Sequence, residues 1–400
     1  MSNEKTRTIM LQRNKNIGFA RILILVAAFS CFVHHNIARI VIGAVGIIFC
    51  LLPGTRDKIY KEKSNIILTV FTVITSIVAV CYGNYIGFVR TLVFAAMMVV
   101  FSVTVKIVTK GFYELLLNVV CLGSSLATAY SIVEKIINEP KMHGYRCEVF
   151  FSNANFFGVA VMFAILICAY KVVSRAKLYF VYYIVAAFNA VGLYLSGSMS
   201  LWIIGAIGIV LLLIFNHDYK LLAIFLAVAV IALIGVILIP QFLPRISEIG
   251  GTTDNRIKIW SFAIEQIKEN PIFGHGFFSY KHLYKTLSPT RPDIFKASLA
   301  HNLLLDCLLC HGLVGTTLVG IYLGDFIKRM IVCHDLLKRN LKKYSHIIFA
   351  TATAAAIACY GLMDTTFVWV QTGMVFLFIV SGIGVDERIL KHIKTTKGKE

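Results

Sequence analysis

The chain has 400 residues, of which 58% are apolar and only 15% charged, with a mean hydropathy of +0.79. That leaves too little polar surface to wrap soluble domains, so the two or three globular domains suggested by length alone are excluded. The formal net charge of +19 sits in short clusters between apolar runs, which argues against nucleic acid as a partner and for the positive-inside bias of membrane proteins.

Lys5, Arg7, Arg13 and Lys15 precede the first apolar run, which has no small-residue cleavage pattern. They predict a retained first span and a cytoplasmic amino terminus. Apolar runs of about 20 residues then recur, the length a helix needs to cross roughly 30 Å of hydrocarbon. About twelve spans are predicted, over 17–33, 36–53, 65–82, 86–105, 112–134, 151–170, 178–195, 200–215, 221–239, 301–327, 347–364 and 368–385. The connections 1–21, 54–64, 106–110, 171–177, 216–220, 328–346 and 386–400 fall on one side and hold 26 of the 39 Lys and Arg residues. That side is expected to be cytoplasmic and to carry both termini, which makes 240–300, between spans nine and ten, extracytoplasmic. The expectation is an all-α integral membrane protein in a lipid bilayer, a single polytopic domain over 1–400. Its 240–300 connection is expected to carry part of the working site.

That connection is unlike the rest of the chain. Five of the seven prolines lie in it: Pro240, Pro244, Pro271, Pro289 and Pro292. Ile257, Trp260, Ile264 and Ile267 recur at helical spacing, so residues 255–269 predict an amphipathic helix capped by Thr253 or Asp254. Asn270-Pro271 stops it, and Gly274 and Gly276 turn the chain. A second short helix is expected over Ser279–Leu287. Such a segment is suited to lie on the membrane surface as a lid over the spans.

The ten cysteines fall mostly inside apolar runs, where cysteine behaves as a small hydrophobe, and imply no disulfide framework. Cys307-Leu308-Leu309-Cys310-His311 matches the C-x-x-C-H haem pattern but lies inside an apolar helix, where packing is the favoured reading. No phosphate loop, HExxH motif or GxSxG elbow is present, and no cofactor or metal is required by the pattern.

The charged residues that remain each carry two readings. Arg256 opens the amphipathic helix, where a guanidinium matches phosphate oxygens, although headgroup anchoring or pairing with Asp254 explains it too. Trp260, one turn on, is an interfacial anchor or a platform for sugar. His301 heads span ten as a candidate general base, with Asn302 to orient it or a substrate hydroxyl; the alternative is a histidine at headgroup level. Asp306, five residues on, has poor helical spacing to pair with His301. Arg39, Arg90, Arg146 and Asp364 lie at outer span ends; Arg90, which follows Phe88-Val89 near the outer mouth of span four, is the most interesting, though snorkelling also accounts for it.

Four stretches together resemble the O-antigen ligase and polymerase superfamily of bacterial polysaccharide assembly. Phe151-Ser152-Asn153-Ala154-Asn155 is similar to its N-x-N entry into a span, and Leu195-Ser196-Gly197-Ser198-Met199-Ser200 to its Ser-Arg segment. Asn255-Arg256, Trp260 and Asn270-Pro271-Ile272-Phe273-Gly274-His275-Gly276 are similar to its R-x-x-x-W…N-P-x-x-G-x-G run. His301-Asn302, Leu305 and Gly312-Leu313-Val314-Gly315 are similar to its H-N-x-x-L…G-x-x-G segment.

The resemblance implies a GT-C-like, metal-independent, inverting glycosyltransferase of the bacterial cytoplasmic membrane. Its donor would be an oligosaccharide on undecaprenyl pyrophosphate, and other polysaccharide-assembly proteins would be its partners. Arg256 and His301 would be catalytic, the first on the pyrophosphate and the second on the acceptor hydroxyl. Arg90, Arg146, Asn155, Ser198, Trp260 and Asn302 would bind substrate. A polymerase is favoured; a ligase to a distinct acceptor, a lipid-linked oligosaccharide flippase and a non-catalytic assembly subunit are the alternatives. The chain departs from the pattern at Met199, where the family commonly has arginine, and Arg90, Arg146 and Arg39 are the candidates to replace that charge.

Overall fold

The computed structural model describes residues 2–60, 62–142, 144–238, 249–340, 345–365 and 368–397. Among them the chain forms sixteen helices and no strand. The first ten are α1 (Ser2–Ser30), α2 (His35–Leu51), α3 (Arg56–Tyr60), α4 (Ser64–Cys81), α5 (Tyr85–Ile107), α6 (Lys110–Asn138), α7 (Ala154–Val173), α8 (Tyr179–Leu195), α9 (Met199–Phe215) and α10 (Tyr219–Leu238). The long connection holds α11 (Ile249–Glu269) and α12 (Ser279–Leu287). After it come α13 (Leu303–Asn340), α14 (Ser345–Gly361), α15 (Val370–Val380) and α16 (Ile383–Lys397).

A helix lies over each predicted apolar run. Five stretches are long and apolar enough to cross a membrane: α4, α5, α6, α7 and Leu303–Leu337 of α13. Shorter apolar helices lie at His35–Leu51, Tyr179–Leu195, Met199–Phe215, Tyr219–Gly235 and His346–Gly361. The last predicted run, 368–385, is divided. α15 stops at Val380, and Ser381-Gly382 turns the chain into α16, a Gly/Ser pair being a common site for such a bend.

The centre of the bundle is α7. Phe157, Val159, Val161, Phe163 and Ile167 point in successive directions around it, and all are fully buried. Helices α6, α8, α9, α14 and α15 surround it. By contrast α10 packs on α9 and leaves Ile231 and Leu238 exposed. An all-apolar helix at the rim of a bundle is at ease only in hydrocarbon, where its backbone is satisfied within the helix.

The long connection is more than a surface lid. Ile259, Phe262 and Ala263 of α11, Tyr280 and Leu283 of α12, Ile294, Ala300 and Leu309 form a hydrophobic core of their own. The expected caps of the amphipathic helix are not its start: α11 begins at Ile249, so Asp254 sits within the helix. The nearest proline breaks, Pro240 and Pro244, lie earlier still, so nothing in the sequence stops the helix at 254. The side chain of Thr253, together with Pro240 and Pro244, lies outside the described residues.

This unit is keyed into a break in α13. Gly312 has φ 58° and ψ −166°, a backbone region that only glycine occupies readily. The break frees backbone groups, and the Pro271–Gly276 loop takes them up. Leu313 N donates to Pro271 O at 2.8 Å and Val314 N to Ile272 O at 3.0 Å. In return His275 N donates to Leu309 O at 3.0 Å and Gly276 N to Cys310 O at 2.8 Å. A methyl group on Gly274 would lie 2.6 Å from Gly312 N. Both glycines of these motifs are there because two backbones touch. Broken helices inside apolar surroundings persist only when every freed group finds such a partner.

Candidate active site

His301 and Asp364 lie in connections, outside the membrane-crossing helices. His301 Nδ1 is 3.1 Å from Asp364 Oδ1, with the histidine side chain 30% exposed and the carboxylate 2%. Thr365 N donates to the same oxygen at 2.7 Å. The other carboxylate oxygen accepts from Asn155 Nδ2 at 3.3 Å and Tyr360 OH at 3.4 Å. Both oxygens of a buried charge are therefore satisfied, as burial demands. His301 itself has a left-handed backbone, φ 50°. The strain is of order 1–2 kcal/mol for a residue with a Cβ, and it marks a position held in place by its surroundings.

What holds it is the head of α13. Asn302 Oδ1 accepts from Leu305 N at 3.1 Å as an N-cap, and Asn302 Nδ2 donates to Leu362 O at 3.1 Å. Asp306 does not pair with His301; its Oδ1 accepts from Ala300 N at 3.0 Å. Asn302 thus ties the histidine loop to the connection that carries Asp364.

Burial alone would lower the His301 pKa, but the hydrogen bond and charge of Asp364 outweigh it and the pKa is raised. For Asp364 burial opposes ionisation. The bond to and charge of His301, the Thr365 N–H and the charge of Arg256 outweigh it, and its pKa is lowered. Arg256, on α11, is thereby placed close enough for its charge to act on both members of the pair.

The second motif region meets the pair through one arginine. Arg146, in the connection before α7, donates from Nη2 to Asn155 Oδ1 at 2.5 Å and from Nε to Ser196 O at 2.8 Å. Gly197 has φ 64°, and a methyl group there would lie 3.1 Å from the Arg146 stem. Asn153 caps α7 by accepting from Asn155 N at 2.8 Å. Ser198 is buried, and its N–H donates to Ser196 Oγ at 3.3 Å. Arg146, Asn155, Asp364 and His301 therefore form one continuous polar chain through three connections and the first turn of α7.

Arg90 lies in a neighbouring cavity of about 390 Å³. Its guanidinium stands 3.4 Å from the centre of the Phe278 ring and 4.4 Å from that of Trp369, with Arg39 4.8 Å from Trp369. Neither arginine has a carboxylate partner among the described residues. Lys281 of α12 adds to the same field: burial first, then Arg90, Lys285 and Arg39, lower its pKa. Val89, Val93, Phe94 and Met97 give the cavity an apolar wall, and Asp306 and Thr365 place it beside the histidine pair.

Trp260 packs against the core of the long connection rather than standing free, and its buried Nε1 has no partner among the described residues. Cys310 and His311 are also engaged in packing. Ser279 Oγ donates to Cys310 Sγ at 3.3 Å, and the His311 ring rests against Phe71 and Phe277. Among the described residues no group of three His, Cys, Asp or Glu side chains is arranged to hold a metal.

Asp364 was visible in the sequence only as one charge at a span end. Its pairing with His301, 63 positions away, has no local signature.

The fold and site define a multi-pass helical membrane protein with a histidine–carboxylate pair, surrounded by arginines, at one end of its bundle. Residues 183–320 match the family model described as O-antigen ligase, which bears out the resemblance to the O-antigen ligase and polymerase superfamily. The match runs from α8 to midway along α13. It includes Ser198, Arg256, Trp260, His301 and Asn302; Arg90, Arg146, Asn155 and Asp364 lie outside it. No curated protein matches the chain. The match supports membrane polysaccharide assembly, glycosyltransferase-like chemistry and a lipid-linked oligosaccharide as substrate.

Proposed function

We propose that this protein is an inverting, metal-independent membrane glycosyltransferase of the GT-C-like type. It transfers or polymerises oligosaccharide units from undecaprenyl pyrophosphate on the extracytoplasmic face, and a polymerase is the favoured form. The observation that carries the reading is the His301–Asp364 pair. Asp364 accepts the proton on Nδ1, which leaves Nε2 as the lone-pair nitrogen. Nε2 makes no hydrogen bond among the described residues. It is the group to take the proton of an acceptor hydroxyl as that oxygen attacks the anomeric carbon.

The donor would lie with its polyprenyl tail along Val89, Val93 and Met97 and its pyrophosphate toward Arg39 and Arg90. As the glycosidic bond breaks, negative charge grows on the leaving phosphate. Fixed guanidinium groups lower that barrier without reorganising. Arg256, whose charge already reaches the pair, would serve there. Asn155, Ser198, Asn302 and Trp260 would shape the glycan-binding wall. Arg146, fastened to the turn before Met199, would supply the positive charge that the family places within that turn.

The test is glycan length on gels from a deletion strain carrying wild type, His301→Ala or Arg256→Ala at matched membrane levels. Long chains with wild type and single units left on the carrier lipid with both variants support the polymerase. Extended chains that never reach a separate acceptor in the variants indicate a ligase. Variants that behave as wild type overturn the catalytic assignment.

A further inference from the structure

The cavity of Arg39 and Arg90 is not lined by cations and apolar side chains alone. Asp306, one turn into α13, stands in its wall next to Thr365 and is half-buried there. The roles proposed above leave this carboxylate unused.

Only one of its oxygens has a structural task. Oδ1 accepts from Ala300 N at 3.0 Å, and Asp306 N donates to Asn302 O at 2.8 Å. A negative charge in the first turn of a helix is also favourable toward the helix dipole. These contacts fix the carboxylate but leave Oδ2 over. Oδ2 has no hydrogen bond or ion pair among the described residues, and it is not sealed in packing.

An aspartate that served to neutralise the arginines would sit against them. The charges that act on Asp306 are instead those of His301 and Asp364. The charge of Asp306 reaches His301 in turn. The carboxylate therefore adjoins both the proposed base and the cavity of the proposed leaving group. In an inverting transfer the anomeric carbon lies between those two, with the hydroxyl attacking from the face opposite the leaving oxygen. The first sugar of the donor is thus the part that meets Asp306. An ionised carboxylate only accepts hydrogen bonds, so what it can recognise on a sugar is a hydroxyl or an amide N–H.

We propose that Asp306 is a specificity-determining ligand of the donor's first sugar, with Oδ2 accepting a hydrogen bond from a ring hydroxyl or an acetamido N–H. The inference rests on the glycosyltransferase reading above, with the donor in this cavity. A hydrogen bond to a charged acceptor is about twice as strong as a neutral one. The bare carrier pyrophosphate left after transfer cannot make it. The contact therefore lets one cavity hold the glycan-bearing carrier and release the spent one, although both present the same pyrophosphate to Arg39 and Arg90.

The test compares two ligands on the full chain in detergent, by titration in native mass spectrometry. One is undecaprenyl pyrophosphate bearing a single glycan unit, extracted from a strain that lacks this protein. The other is bare undecaprenyl pyrophosphate. Wild type should bind the glycan-bearing carrier about tenfold more tightly or more, the size of one hydrogen bond to a charged group. Asp306→Ala should lose that advantage and keep its affinity for the bare carrier. Asp306→Asn keeps an oxygen for Ala300 N, and so reports binding even where the alanine variant does not fold. Its amide N–H can serve a hydroxyl that turns round but not an acetamido N–H. A preference regained in Asp306→Asn therefore identifies a hydroxyl, and a preference still lost identifies the N–H. Equal affinity of wild type for the two ligands, or an advantage that survives in Asp306→Ala, overturns the proposal and leaves the glycosyltransferase reading standing. A loss of affinity for both ligands together in the Asp306 variants also overturns it, since Asp306 would then be structural. Wild type that binds neither ligand overturns the glycosyltransferase reading and this proposal with it.

Discussion

As the base proposed above, His301 works only when neutral, and its surroundings set when that is. Its raised pKa places the acidic limb of the rate profile above the ordinary imidazole value of about 6.5, with activity rising as pH rises through it. Asp364→Asn removes the charge that raises the pKa and leaves the burial that lowers it. The limb should then move to lower pH while the plateau rate falls about tenfold or more. A profile that keeps its limb in Asp364→Asn would show that Asp364 does not tune His301. His301→Ala should cost roughly 10²–10⁴-fold in turnover of lipid-linked oligosaccharide, the usual contribution of a positioned base. Arg90 makes a different case, because a place over the Phe278 and Trp369 rings suits guanidinium better than ammonium. Arg90→Lys keeps the charge yet should weaken donor binding about tenfold, measured as KM for the donor with turnover less affected.

At the scale of elements, the break in α13 is the joint that sets the site. It lets the Pro271–Gly276 loop enter the bundle, and the same unit carries Arg256 toward the His301 loop. Gly312→Ala places a Cβ against the Ile272 peptide at a φ/ψ that side chains avoid. It should destabilise the protein by about 1–3 kcal/mol or more and lower the unfolding temperature in detergent. Gly320→Ala, on the same helix with open space around it, should be neutral or slightly stabilising. Equal effects from the two would show that the close approach at Gly312 does not matter. Tyr82 OH donates to Asn270 Oδ1, and Asn84 Nδ2 donates to Phe277 O at 3.0 Å. These bonds staple the unit to the α4–α5 turn and keep Arg90 beside it.

Over the whole molecule, charge is sorted by end. One end gathers Arg39, Arg90, Arg146, Arg256 and the His301–Asp364 pair. The other gathers Arg21, Lys106, Arg329 and Arg388 with Glu62 and Glu387. The orientation expected from Lys and Arg counts has a direct check. In a cysteine-free background, Thr286→Cys should react with an impermeant maleimide in intact cells, and Asp335→Cys only after permeabilisation. The reverse pattern would invert the protein in the membrane.

The sequence by itself determined the all-helical membrane character, because runs of apolar residues leave the backbone no partner but itself in hydrocarbon. It also made the superfamily legible, through His301-Asn302, Arg256 and the Asn270–Gly276 run. Tertiary structure alone decided that Asp364 rather than Asp306 orients His301. It also decided that Gly274 and Gly312 serve a backbone contact, and that Arg146 joins the Ser196 turn to Asn155. Each of these pairs residues far apart in the chain. Local spacing encodes periodicity and caps, while such long-range partners are fixed only when helices pack and every buried polar group must find another.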